Sequence, residues 1–599
     1  MNRISRFVPA MAAALALACF AAVAQSQVMD QVPSDALVVI KINKMSAVNE
    51  KAAVLAKQWG LVEMNPALSD PLAYLMTEST MVNGVDKAGD EAIVIANGDL
   101  VLTNGSKPPI IILIPVTDYK AFIGNYPDAK KEGELDVVQM TFSGKKDPEQ
   151  SYVANWGKFA AISPLKDLLG KKPEGFKASG MTGKELDTKD FVAVMNMEVF
   201  GPKLEAQLKE HKDSMLSDVE KNLTKDEKTA KYAPLVKVLV TQLIGAGEGF
   251  LTETKYASFS IQLSKEGVAT SLMADFKPDS SMGKTIAQMK GVGGSLLGGL
   301  PEAKYLFFGG GVSAGEAGNQ LMSDFLKPIK EELAKSGDDL KPVITAIDGI
   351  NKMMGAMKGQ VAGVIAPTGA LGTTSIIQEV VVMQGDAKVL ADSQLQVLEA
   401  EQKLMGLLPN QGGGMIKFTL TPNAKTVDGV SFSQFTEDID GNAPNAAQAK
   451  QMFAMMYGPN GMTGFNGILD DQHMLTVIGL DDAMISAAIK AAKANTDIFA
   501  KNESVLAVGK NLPKERLGEF YFDLGQTVTT ITNYAKMMGM PIPVNIKPDL
   551  SPIGASLATE GSAVHMDSFI PADLVESMVG MAIQVHMMGA GGRGKPGGL

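Results

Sequence analysis

Hydrophobic and polar residues alternate along several short segments of the chain. Residues 258–263 read Ser, Phe, Ser, Ile, Gln, Leu, an order typical of a half-buried antiparallel strand. Other segments are rich in β-branched and apolar residues and predict further strands at residues 109–116, 135–142 and 376–383. Lys265-Glu266-Gly267 and Thr559-Glu560-Gly561 have the composition of tight turns, so each is expected to close a hairpin.

A helical periodicity replaces this alternation in two consecutive segments. Residues 203–223 and 224–245 carry apolar residues at helical spacing among many charged ones. The pattern predicts two amphipathic helices joined as a hairpin, with the charged residues on a solvated face.

Five local patterns occur twice along the chain, in the same order. In one of them a strand, an aspartate and a helix follow one another, around Asp118 in the first copy and Asp386 in the second. The other four pairs are residues 32–59 and 300–327, 93–96 and 363–366, 157–169 and 473–485, and 256–279 and 552–573. Ordered repetition of this kind indicates an internal duplication.

These patterns predict an α+β protein made of two tandem related halves. Each half is expected to be a mainly antiparallel sheet with packed helices, and the halves to be arranged about a pseudo-twofold axis, as in a fused dimer. The predicted boundaries are residues 25–292, with the helical insertion at about 203–245, and residues 293–588. Residues 589–599 are rich in glycine and are predicted to be a flexible tail.

Residues 1–24 have the three parts of a secretory signal peptide. Arg3 and Arg6 supply positive charge, residues 7–23 are apolar, and Ala22-Val23-Ala24 fits a cleavage site. The apolar run is shorter than the about 20 residues of a spanning helix. We therefore expect an exported chain, periplasmic or extracellular, with no transmembrane span after cleavage.

The single cysteine, Cys19, lies within this predicted signal. A chain cleaved after Ala24 would hold no thiol, and so no disulfide and no cysteine-bound zinc. Lipid anchoring through Cys19 stays open as an alternative, because Ala16-Leu17-Ala18 partly resembles the segment before the modified cysteine of bacterial lipoproteins.

Composition and charge exclude further classes of function. The 599 residues include 55 Lys and Arg against 66 Asp and Glu, a net charge of −11 that disfavours a nucleic-acid partner. Met282-Gly283-Lys284-Thr285 resembles the end of a phosphate-binding loop, but Pro278 stands where that loop needs glycine. Four histidines with no His-x3-His pair disfavour zinc catalysis. No nucleotide and no other cofactor is expected.

Gly311-Val312-Ser313-Ala314-Gly315 is the one candidate for nucleophilic catalysis. It follows a predicted strand and precedes a predicted helix, the context in which a hydrolase exposes its serine. A serine that caps the following helix would account for the same residues. A histidine backed by a carboxylate beside Ser313 would distinguish the hydrolase from the cap.

The segment from Asp438 to Asn442 is the candidate metal site. Asp438, Asp440 and Asn442 have the spacing of calcium ligands, but Ala449 stands where an EF-hand has its bidentate acid. An ordinary turn rich in Asp and Asn is the competing interpretation.

Methionine is in excess, with 36 residues, and several methionines form local groups. The groups are residues 353–357, 452–456, 537–540 and 586–588. Spacings of three and four residues favour apolar helix faces packed in the core. A binding groove for an apolar partner and a Cu(I) site with His586 are the alternatives.

The whole chain resembles a loose set of exported bacterial proteins. The shared features are the signal peptide, the opening VPSDALVVIKI, the strand–Asp–helix units, and a late hairpin followed by IPADLV. The resemblance implies a domain of unknown function and transfers no catalytic residues.

The function expected from the sequence is binding or assembly in the bacterial envelope. The partner would be another envelope protein or an apolar ligand, and the chain is not expected to be an enzyme. A carrier of a lipid or other apolar ligand is the first alternative, and a serine hydrolase using Ser313 is the second.

Overall fold

The structure is a computed structural model that describes most of the chain. The described residues are 28–97, 109–140, 148–170, 172–225, 233–335, 337–367, 369, 373–407, 416–440, 446–540, 547 and 549–591. The predicted signal peptide and Cys19 lie outside them. The chain divides into two compact units, Met1–Leu204 with Thr254–Phe276, and Glu205–Glu253 with Lys277–Leu599. Residues 205–253, which the sequence placed in the first half, thus belong to the second unit.

The first unit is built from strands and short helices. Its elements are β1 (Val38–Ile42), α1 (Met45–Gln58), α2 (Leu61–Met64), α3 (Pro71–Glu78), β2 (Glu91–Ile95), β3 (Ile110–Pro115), α4 (Tyr119–Ile123), β4 (Lys130–Glu132), β5 (Leu135–Met140), β6 (Glu149–Asn155), β7 (Phe159–Ser163), α5 (Gly180–Thr188), β8 (Phe191–Asn196), the first turns of α6 (Met197–Thr224), β9 (Thr254–Ser264) and β10 (Gly267–Phe276). Short 3₁₀ helices cover Met29–Gln31, Pro66–Ser69 and Lys166–Leu169.

The strands of the first unit form an antiparallel sheet. Among the described residues its order is β4-β5-β6-β7-β3-β2-β1-β8-β9-β10. Burial alternates along β1, where Val39 and Lys41 are buried and their neighbours are half-buried. This alternation puts every second side chain into the core, because successive residues of a strand point to opposite faces.

The second unit contains the remaining elements. They are the rest of α6, α7 (Ala233–Glu253), α8 (Ser281–Gln288), β11 (Val292–Gly293), β12 (Tyr305–Val312), α9 (Gly315–Lys335), α10 (Lys341–Ala356), β13 (Met357–Ile365), β14 (Gln378–Gly385), α11 (Ala387–Leu407), β15 (Ile416–Val427), β16 (Val430–Ile439), α12 (Ala446–Tyr457), β17 (Met462–Ile468), β18 (His473–Ile478), α13 (Asp482–Ala494), α14 (Glu503–Gly509), β19 (Glu515–Arg516), β20 (Gly518–Phe522), α15 (Leu524–Met537), β21 (Ile553–Glu560), β22 (Ala563–Pro571) and α16 (Ala572–Gly591). A 3₁₀ helix covers Asp338–Leu340.

The main sheet of the second unit repeats the strand order of the first. In the described part of the chain the order is β15-β16-β17-β18-β14-β13-β12-β20-β21-β22, again antiparallel throughout. The ten strands of each sheet can be numbered along the chain, from β1 in the first unit and from β12 in the second. With this numbering the strand order is 4-5-6-7-3-2-1-8-9-10 in both units. The predicted α+β class with a mainly antiparallel sheet is confirmed.

Several local predictions are also confirmed. The turns before Gly267 and at Gly561 each close a hairpin of two long strands. The predicted charged helices are α6 and α7, although α7 begins at Ala233 and extends to Glu253.

The predicted tail begins within a helix. Helix α16 continues to Gly591, so it includes the first residues of the predicted tail, and residues 592–599 lie outside the described part.

Candidate functional site

Helix α7 exposes an apolar stripe. Leu239 is 39% exposed, Leu243 56% and Phe250 40%, and Ala246 between them is also exposed. These four residues are spaced four, three and four apart, so they lie on one side of a helix with 3.6 residues per turn. The side of α7 that faces solvent is therefore apolar over about three turns.

The other sides of α7 are held by the second unit. Leu235 and Val238 pack against a core cluster of side chains from α9 and α10 and the segment between them, which contains Ile329, Leu333, Leu340 and Ile347. Ion pairs join α7 to α6, with 3.1 Å from Lys237 Nζ to Glu220 Oε2 and 3.3 Å from Lys212 Nζ to Glu248 Oε1. The apolar stripe is thus presented on a helix that is attached to the second unit through Leu235, Val238 and two ion pairs.

Length and composition mark the same helix. Among the described residues, Ala233–Glu253 is the one helix long and apolar enough to cross a membrane by these two criteria. Of its side chains, only those of Ala233 and Ile244 are buried. A core helix of a soluble protein would pass the same test, but it would be mostly buried. The expectation of no transmembrane span stays a prediction.

Ser313 lies between β12 and α9, as the sequence predicted. Its hydroxyl oxygen accepts a hydrogen bond from the Gly315 backbone N–H at 3.2 Å, and its own N–H donates to the Lys358 carbonyl. The described residues that line the 610 Å³ cleft at Ser313 include no histidine. His473 and His565 instead contact Asp470 and Asp567. The base that a hydrolase needs is not brought to Ser313 in the described structure.

The candidate metal residues lie at the end of β16 and just after it. Asp438 accepts a hydrogen bond from the Ile439 N–H and pairs with Lys450 at 3.4 Å. Asp440 is described, while Asn442 lies outside the described residues. In the part of the chain that the structure describes, no group of three or more His, Cys, Asp or Glu side chains could hold a metal ion.

The methionine groups are exposed to a degree that the sequence did not predict. Met452 and Met455 on α12, and Met537, Met538 and Met540 at the end of α15, are all exposed. Core packing is therefore wrong for these five residues. The reason is that α12 buries none of its side chains, and that residues 537–540 lie past the buried positions of α15. The side chains of residues 586–588 lie outside the described set.

Two clefts occupy corresponding places in the two sheets. In the first unit a cleft of 540 Å³ lies between residues 86–90, Pro115 at the end of β3 and Lys158 in the β6–β7 turn. In the second unit a cleft of 800 Å³ lies between residues 352–358, Gly385 at the end of β14 and residues 470–472 in the β17–β18 turn. Lysines and aspartates line both clefts, so neither selects a ligand of one charge sign.

A third cavity comes nearest to a site for an apolar ligand. It encloses 790 Å³ in the second unit, and Met484, Met537, Ile365 and Tyr534 are among its lining residues. The Tyr534 hydroxyl is buried and makes no hydrogen bond to another described residue. Lysine, glutamine, asparagine and threonine side chains share the lining, so the cavity is more polar than the apolar pocket that a lipid carrier requires.

The first unit contains a buried charge that sequence reasoning missed. Lys41 on β1 is fully buried; its Nζ donates to the Leu186 carbonyl at 2.9 Å and lies 3.1 Å from Asp90 Oδ2. Leu186 is in the last turn of α5, where a cation stabilises the helix dipole. The strict alternation of VVIKI, with a lysine at a core position, was the available signal.

A half-buried carboxyl lies on the neighbouring strand. Glu91 is at the start of β2, opposite Ile42 of β1. Burial raises the pKa of Glu91 from its usual value to about 6, because the charged form loses hydration. Glu91 therefore titrates in a range where most surface carboxyls are already ionised.

The stripe on α7 was missed for a different reason. Lys237, Gln242 and Glu248 interrupt its apolar residues, so no uninterrupted apolar segment marks this helix in the sequence. The high average hydropathy of Ala233–Glu253 is the signal that could have identified it.

Comparison with known proteins adds little to this geometry. No family model and no curated protein sequence matches the chain. Crystal form III of TP0453 is similar at 8% identity and a TM-score of 0.19, over 49% of this chain and 98% of that chain. Crystal form IV of TP0453 has 9% identity and a TM-score of 0.19, over 48% and 97%. TM-scores this low do not establish a shared fold.

Proposed function

We propose that this protein is exported to the bacterial envelope and acts there by binding or assembly rather than by catalysis. The observation that carries the proposal is the exposed apolar stripe on α7. A contiguous apolar patch on a protein surface is often a site of interaction. Export itself rests on the signal-like residues 1–24.

Fractionation of the native cell tests this proposal. We expect the chain in the envelope fraction, with a mass that begins at Gln25 after cleavage behind Ala24. A chain that begins at a lipidated Cys19 would still be exported, and its added acyl mass would identify the anchored form. An unprocessed chain in the cytoplasm would overturn the proposal.

A carrier of an apolar ligand is the second candidate. The buried Tyr534 hydroxyl in the 790 Å³ cavity favours it, because a ligand with one hydrogen-bonding group could satisfy that hydroxyl, while the polar side chains of the lining count against a purely apolar ligand. Native mass spectrometry of protein purified from its own envelope separates the candidates. A retained lipid that is lost in Tyr534→Phe would support the carrier, while a clean apo mass would leave binding through the surface of α7.

A further inference from the structure

The structure assigns a partner to the exposed stripe of α7: we infer that Leu239, Leu243, Ala246 and Phe250 insert into the surface of a lipid bilayer. This inference rests on the proposed function and narrows its partner to lipid. The stripe spans about 17 Å at 1.5 Å per residue and presents apolar side chains in one direction.

The packing of α7 decides how the helix meets the bilayer. A spanning orientation would remove Leu235 and Val238 from the core cluster and break the ion pairs of Lys237 and Glu248 with α6. It would also take Glu253 from the Met282 N–H, which lies 2.6 Å from its carboxylate. A helix held in this way meets a bilayer along its side, at the depth of the headgroup and acyl boundary.

The size of the stripe argues against a second copy of the chain as the partner. A stable dimer buries about 800 Å² and about 20–30 residues on each partner. Four side chains along one helix supply much less than that. A bilayer needs no matching surface, because any apolar side chain that reaches the acyl region gains the free energy of leaving water.

The charges near the stripe predict whether electrostatic attraction to lipid headgroups contributes to binding. Lysine and glutamate alternate on α6, as in the Lys209–Glu205 pair, and the whole chain carries −11. A basic surface that attracts anionic lipid is therefore not what holds the helix. Binding should persist on zwitterionic vesicles and should not weaken as salt rises.

Flotation of the mature chain with vesicles tests the inference. We expect residues 25–599 to float with phosphatidylcholine vesicles, equally at low and high sodium chloride. Leu239→Gln/Leu243→Gln should reduce the floating fraction about tenfold, since two apolar side chains leave the acyl boundary. The matched control is Met452→Gln/Met455→Gln, which changes two exposed apolar residues three positions apart on α12.

Circular dichroism and the thermal midpoint should be the same for both variants, because every substituted side chain is exposed. Equal flotation of the α7 variant and the parent overturns the inference, as does absence of the parent from the floating fraction. Equal losses of the floating fraction in the α7 and α12 variants also overturn it, because they indicate nonspecific hydrophobic adsorption to the vesicles. A chain that is exported and does not float leaves the binding function standing and removes lipid as its partner.

Discussion

At the residue scale, the first unit depends on polar groups inside its core. Lys41 is fully buried, yet its Nζ contacts the Leu186 carbonyl and Asp90. Burying an unpaired ammonium group would cost several kcal/mol, so its partners are what make the position tolerable. The sequence shows that Lys41 falls at a core position of β1, but Asp90 and Leu186 are far away in the chain, and only the fold shows that they meet it.

Replacing Lys41 with methionine should therefore destabilise the first unit. Lys41→Met leaves Asp90 and the Leu186 carbonyl without this donor, at a cost of about 2–3 kcal/mol. Urea unfolding followed by tryptophan fluorescence measures it, because both tryptophans, Trp59 and Trp156, are in the first unit. Lys335→Met, which removes an exposed pair with Glu332 in the second unit, should leave this transition unchanged.

Glu91 makes the stability of the first unit depend on pH. Its pKa is raised to about 6 in the folded state, so folding favours the neutral carboxyl. That contribution is complete below the unfolded pKa of about 4.5 and is lost as pH rises through 6. Glu91→Gln should match the parent at about pH 4 and be more stable by about 1–2 kcal/mol at about pH 7.

The same fluorescence-detected unfolding, repeated at both pH values, gives the comparison. Glu63→Gln is the control, because Glu63 is exposed on α2 of the same unit. A Glu91→Gln variant whose stability relative to the parent is the same at both pH values would show that folding does not raise the pKa of Glu91.

At the element scale, each unit has an aspartate that follows a strand and caps the next helix. Asp118 follows β3 and accepts hydrogen bonds from the Lys120 and Ala121 N–H groups at the start of α4. Asp386 follows β14 and accepts from the Val389 N–H at the start of α11. The sequence predicted this strand, aspartate and helix because capping depends on neighbours within a few residues. The C-terminal end of α7 depends on tertiary packing. It was predicted at residue 245 and lies at Glu253.

Removing either cap should weaken its own unit. Asp118→Ala and Asp386→Ala are each expected to cost about 1 kcal/mol, the usual loss for an N-terminal cap. Fluorescence-detected unfolding should register the first, and circular dichroism the second. Lys120→Ala and Lys388→Ala, exposed neighbours that make no cap, should have effects below about 0.5 kcal/mol. An Asp→Ala variant that is no less stable to unfolding than its lysine control would contradict the assignment of that aspartate as a helix cap.

At the scale of the whole molecule, the shared strand order supports the duplication, which stays a prediction. The α+β class was predictable because strands and hairpins leave local patterns in the sequence. The exposed methionines and the stripe on α7 were not, because periodicity identifies an apolar face without showing what covers it. The structure shows that Leu235 and Val238 of α7 pack against the core cluster from α9 and α10, that ion pairs join α7 to α6, and that the stripe stays exposed.

A fluorescent probe on the stripe reports directly whether α7 enters the bilayer surface. Cys19 is the one cysteine of the chain, so in residues 25–599 a Leu243→Cys substitution creates a single thiol for an environment-sensitive dye. On adding phosphatidylcholine vesicles, we expect the dye at 243 to shift to the blue and brighten, and a dye at Met452→Cys to stay unchanged. An unchanged emission at 243, or equal shifts at both positions, would contradict binding through α7.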